Sequence, residues 1–78
     1  MTTPLILGPW RQRGTIHERE PSAMCGAMVG WSAALKCYVI NVWTRHGIIT
    51  SSRVGLDDAR AWADALLVEH GVILRPVG

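Results

Sequence analysis

The stretch KCYVINVW, Lys36 to Trp43, limits what this chain can become more than any other. A strand in a sheet with one wet face alternates apolar with polar residues, because successive side chains point to opposite sides. Here one alternate set is Cys37, Val39, Asn41 and Trp43, and the other is Lys36, Tyr38, Ile40 and Val42. Neither set is polar, so the strand asks for cover on both faces. A chain of 78 residues supplies that poorly. A domain of this size buries only about 60% of the surface its unfolded form exposes.

The one clear helix lies near the end, in GLDDARAWADALLVEHG. Gly55 suits the N-cap, Asp57 and Asp58 favour the positive end of the helix dipole, and Gly71 is a stop signal. Leu56, Ala59, Ala63, Leu66 and Leu67 share a stripe at 3.6-residue spacing, with Trp62 on its flank. The opposite side carries Ala61, Ala65 and Val68, and the helix carboxylates read as a solvated acidic face. A helix over about 56–70 seals one side of a sheet. The other side is left over.

The rest reads as strands. MTTPLILGPW has prolines at 4 and 9 around a short apolar run, so residues 1–9 form an extended arm. Thr15–Arg19 is an exposed strand, PSAMCG a loop leading into the next, and AMVGWS a strand with a bulky face (Ala27, Val29, Trp31) and a thin one (Met28, Gly30, Ser32). AAL turns into the central strand Leu35–Trp43. His46-Gly47 suits a two-residue hairpin turn, which opposes Trp43 to Thr50, Val42 to Ser51 and Ile40 to Arg53. IITSSRV, polar in its middle, is the edge candidate. VILRPVG ends in a short strand and a flexible tail, 75–78. The expectation is one α+β domain, a three- or four-stranded antiparallel sheet with the helix packed across one face.

Signs of catalysis are lacking. GWSAA echoes a nucleophile elbow, but its serine lies between two strands rather than at a strand-to-helix turn. No glycine-rich phosphate loop opens a helix. His17, Cys25, Cys37, His46 and His70 have none of the short paired spacings of metal ligands. The reading is a chain without catalytic residues, metal or cofactor. Cys25 and Cys37 are expected to be reduced thiols in the cytoplasm, and no signal peptide precedes them. Ser22–Thr44 carries only one charge, Lys36, yet Ser32, Asn41 and its β-branched second half fit two strands better than a membrane span of about 20 apolar residues.

Tryptophan usage points elsewhere. Four tryptophans and no phenylalanine are more than a small core easily holds. Before residue 56 there are six Lys and Arg against two Glu; after it, two Arg against four carboxylates. Tryptophan and arginine are the residues most enriched at binding hot spots. The candidate contact set is Trp10, Arg11, Arg13, Trp31, Lys36, Tyr38, Ile40, Val42, Trp43, Arg45 and Arg53. The uncovered face consists of Tyr38, Ile40 and Val42, or else of Val39 and Trp43. The arm, a second copy forming a homodimer, or another partner has to cover it.

Two resemblances bear on the partner. The frame GPWRQRG…YVINVW…GII…GLDDARAWADALL resembles short phage and prophage accessory proteins. That likeness implies a host-takeover or anti-CRISPR-type inhibitor, which occludes a surface of a host protein or complex and catalyses nothing. The layout is also similar to the arm-type DNA-binding domain of tyrosine-recombinase integrases, whose three-stranded sheet enters the major groove. This implies phosphate or base contacts at Arg11, Arg13, Lys36, Arg45 and Arg53. The chain departs from that pattern in having a single lysine and an uncharged Thr50–Ser52.

Overall fold

The computed structural model describes residues 6–19 and 24–75. Most of the arm, the start of PSAMCG and nearly all of the tail lie outside the described residues. Five strands form one antiparallel sheet: β2 (Trp10–Arg13), β3 (Ile16–Arg19), β4 (Gly26–Ser32), β5 (Cys37–Thr44) and β6 (Gly47–Arg53), ordered as in the chain. The helix α1 (Leu56–Glu69) follows. A short parallel pair joins β1 (Ile6–Leu7) to β7 (Ile73–Leu74), with Ile6 beside Ile73 and Leu7 beside Leu74. The fold is α+β as expected, with more strands in the sheet, because the arginine-bearing start of the chain pairs as β2.

Local chemistry sets each turn. Gly14-Thr15 closes the β2–β3 hairpin, with Gly14 at φ 61°. Four residues link β4 to β5, and Ser32 Oγ accepts the Leu35 N–H at 3.2 Å. Lys36 ends that turn at φ 54°, in the left-handed region that costs an L-residue about 1–2 kcal/mol. Between β5 and β6 the two turn residues are Arg45 and His46, one step earlier than the sequence suggested. Neither takes positive φ; Gly47 does so beside them, at 123°. Trp43 therefore faces Ile48, Val42 faces Ile49 and Ile40 faces Ser51. The shift is two residues along the partner strand, so every side chain keeps its face.

The register sorts the sheet into two surfaces. Ala27, Val29 and Trp31 pair with Val42, Ile40 and Tyr38, and these lie on the side that receives the helix. Ala27, Val29, Ile40 and Val42 are fully buried with Ala59, Ala63 and Leu67 of α1. Leu56, Trp62 and Leu66 pack at the margin of this core. The arm joins the same layer, for Leu7 is fully buried in the same cluster. Burial of this kind contributes roughly 25 cal/mol for each Å² of apolar surface removed from water.

The helix ends where its chemistry says it should. The Gly55 carbonyl accepts the Ala59 N–H at 3.0 Å. At the other end Gly71 (φ 82°) donates to the Val68 carbonyl and Val72 to that of Leu67, both at 3.0 Å. This double bond pattern needs a left-handed residue at Gly71, and the buried contact of Val72 with Leu67 completes the motif.

Two substitutions check this account by chemical denaturation. Leu67→Ala should lower stability by about 2–4 kcal/mol, since it deletes a fully buried side chain. Lys36→Gly should raise it by about 0.5–1 kcal/mol, by relieving the left-handed conformation.

Candidate binding face of the sheet

With α1 and the β1–β7 pair on one side, the other side of the five-stranded sheet carries the remaining alternate residues. They are Arg11 and Arg13 on β2, Ile16 and Glu18 on β3, and Met28 on β4. Val39, Asn41 and Trp43 follow on β5, and Ile48, Thr50 and Ser52 on β6. Among the described residues no helix or strand lies over this face. Ile48 is 73% exposed, and Ile16, Met28, Val39 and Trp43 are half-buried.

Two features give the face its shape. Trp43 lies over Gly26, its cross-strand partner; a Cβ there would overlap the indole ring. The thin strand thus admits a side chain of its own neighbour. Across the sheet, a hollow of about 320 Å³ is lined by Arg13, Ile16, Glu18 and Met28. Glu18, only 9% exposed, accepts from Arg11 Nε at 3.3 Å and from Arg13 Nη1 at 3.2 Å. Two guanidiniums around one carboxylate leave one net cation there. Thr50 Oγ1 donates to Asn41 Oδ1 at 2.9 Å, which orders a polar cross-strand pair between Trp43–Ile48 and Val39–Ser52.

Several expected contact residues lie elsewhere. Ile40 and Val42 are fully buried beneath α1 and belong to no surface. Tyr38 is on the helix side too, where its ring meets that of Trp31 edge-on, centroids 5.0 Å apart. Trp31, half exposed, sits beyond the core at the margin of that side. Arg53 stands over the Trp62 ring at 5.4 Å, also on the helix side. Lys36 and Arg45 occupy the turns at opposite ends of β5. Of the candidate set, only Arg11, Arg13 and Trp43 share the open face. Cys25 and Cys37 sit at opposite ends of the β4–β5 pair and form no disulfide.

Trp10 has a structural partner set of its own. Its indole N–H donates to both carboxylate oxygens of Asp64, at 3.1 and 3.3 Å. Arg19 donates to the same group from Nε (2.8 Å) and Nη2 (3.1 Å), and from Nη1 to the carbonyls of Gly8 (2.9 Å) and Arg75 (3.1 Å). Arg19 and Arg60 lie over the Trp10 ring at 5.5 and 5.6 Å. The strand expected to be exposed is therefore buried at Glu18 and Arg19, and Asp64 is no solvated helix carboxylate. Sequence reading missed this cluster because Arg19 and Asp64, 45 positions apart, each look like an ordinary surface charge.

His17 completes the helix side of β3. Its Nδ1 lies 2.7 Å from Arg60 Nη2, and since a guanidinium only donates, Nδ1 accepts and the ring is neutral. Burial, and then the charge of Arg60, hold its pKa below the usual 6.5. At the far end of the helix, the rings of His46 and His70 stand 5.5 Å apart between the β5–β6 turn and the C-cap. Among the described residues no three His, Cys, Asp or Glu side chains are grouped to hold a metal, and no helix is long and apolar enough to cross a membrane. The chain matches no family model, no curated protein and no solved structure among those with which it was compared.

Three measurements follow. Asp64→Ala should cost about 2–3 kcal/mol, less than a fully buried pair because the carboxylate is partly exposed, and should loosen β1 and β7 first in hydrogen exchange. Gly26→Ala should eject the Trp43 ring, read as a red shift in tryptophan emission. For His17 the folded pKa is depressed, so the unfolded chain binds more protons. Stability is retained above about pH 6.5 and falls as pH drops below it, until the folded ring itself takes a proton. His17→Gln should flatten that fall.

Proposed function

We propose that this chain is a non-catalytic binding protein that occludes a surface of another protein, with the helix-free face of its sheet as the contact. The observation that carries this reading is the make-up of that face. Ile16, Met28, Val39, Trp43 and Ile48 stand on it among Asn41, Thr50 and Ser52, with Arg11 and Arg13 at one margin. An apolar patch rimmed by polar groups is what soluble proteins keep for partners. Tryptophan and arginine are the residue types enriched at hot spots, and this face carries both, Trp43 on β5 and Arg11 and Arg13 three strands away on β2. The reading puts the chain in the functional class of the phage and prophage accessory proteins it resembles, host-takeover and anti-CRISPR-type inhibitors acting in the host cytoplasm on a host protein or complex.

A second reading, a DNA-binding sheet, draws on Arg11 and Arg13 lying on this same face. Glu18 accepts from both, which leaves little net charge for phosphates. The protein-binding reading is therefore the better supported.

Val39→Asp tests the face itself. Val39 is half-buried at the centre of the face and outside the core under the helix. The variant should keep the wild-type circular dichroism and lose capture of the partner from the source cell. Capture undiminished by an aspartate there would remove the face as the contact. In parallel, a duplex shift that weakens with salt, at a log–log slope near −0.9 per phosphate, would favour the DNA reading.

A further inference from the structure

We propose that β6 is a homodimerisation edge, along which two copies of this chain pair their sheets antiparallel about Thr50. The β5–β6 hairpin geometry sets which groups are available. Thr44 and Gly47 close a two-residue turn as bridge partners, and such a closing pair exchanges both of its backbone hydrogen bonds. Alternation then assigns Gly47, Ile49, Ser51 and Arg53 to bonds with β5. The N–H and C=O of Ile48, Thr50 and Ser52 point out of the sheet edge, which no other strand pairs among the described residues; the Ser52 carbonyl there already accepts from Arg53 Nη1, which leaves one of its two lone pairs for a partner.

That row is self-complementary. A two-fold axis through Thr50 sets Thr50 against the partner's Thr50 and Ile48 against the partner's Ser52. Each facing pair exchanges two hydrogen bonds, with the Ser52 carbonyl sharing its two lone pairs between Arg53 and the N–H of the partner's Ile48. Ile48, 73% exposed in one copy, would then lie beside the partner's Ser52 and diagonal to the partner's Thr50. Charge agrees with this occupant. Gly47–Ser52 is uncharged, and the pairing puts Arg53 beside the partner's Gly47, so that no like charges meet.

The two edges of the sheet differ in a way that supports the choice. The opposite edge strand, β2, carries Arg11 and Arg13 and is tied to the helix through Trp10. Charged side chains on an edge are how proteins discourage strand addition. The β6 edge has no such residue until Arg53, and isologous pairing of one strand with its own copy is a closed C2 contact that does not propagate. Dimerisation here stands independently of the reading of the open face. It would set two such faces side by side on one continuous sheet, with Trp43 and Ile48 of each copy flanking the junction.

Sedimentation velocity over a concentration series tests this through position 50, which meets only its own copy. The wild type should pass from monomer to dimer as concentration rises. Thr50→Lys and Thr50→Asp, each at an exposed site, should stay monomeric at every concentration through self-repulsion. An equal mixture of the two should regain the dimer, because lysine then faces aspartate. Circular dichroism confirms folding of each variant, and Ile48→Arg, also at an exposed position, serves as a second disrupting change. A wild type that remains monomeric to about 1 mM would overturn the proposal and leave the edge to water or to a strand of another protein. Dimers that persist in Thr50→Lys, or a mixture that stays monomeric, would overturn it as well.

Discussion

The buried guanidinium of Arg19 is the contact on which the arrangement of this molecule depends. At 7% exposure it has given up almost all of its water. It regains partners from Asp64 on the helix, from the Gly8 carbonyl on the arm and from the Arg75 carbonyl after β7. Taking such a charge out of water costs several kcal/mol, and an isolated ion pair often does no more than offset that. What it supplies here is position. Three stretches of chain converge on one planar group carried by a fourth, whose donors fit only one arrangement, and both Arg19 and Arg60 stack over the Trp10 ring. The arm and the chain end are thereby held in the helix layer.

That placement decides which surface remains open. With Leu7 in the core and β1 paired to β7, the described part of the arm lies on the side that the helix already covers. The opposite face keeps Val39, Trp43 and Ile48 toward the outside and softens its exposure by internal means. Trp43 lays its ring over Gly26, and Glu18 draws in two arginines. The two edges follow the same division, one guarded by arginine and one left as bare backbone.

Much of this architecture was legible in the chain. The 3.6-residue stripe marked Ala59, Ala63 and Leu67, and these are the helix residues that are fully buried. Alternation marked β4, the polar middle of IITSSRV marked an edge, and the two-sided apolar strand β5 pointed to a face that one helix would not cover. Turn chemistry was read less well. Glycine was assigned inside the β5–β6 turn, but Arg45 and His46 make the turn with negative φ and Gly47 absorbs the positive one. Charge was read least well, because a lone Arg or Asp carries no mark of the partner that will bury it.

The sequence alone determined the C-terminal helix, the order of the strands it marked before it, and the two apolar faces of β5, for these follow from spacings of two and 3.6 residues; it did not mark β2 as a strand. It left open which face of β5 the helix would take, since Ile40 and Val42 are no more apolar than Val39 and Trp43. Tertiary structure settled that through cross-strand neighbours. The Ile40 set lines up with Ala27 and Val29 into a smooth floor on which a helix can lie, whereas the Val39 set lines up with Gly30, Met28 and Gly26, and the gaps at the two glycines are taken by Ile16 and by the indole of Trp43. A strand's own residues carry no record of that difference, because it belongs to the pair.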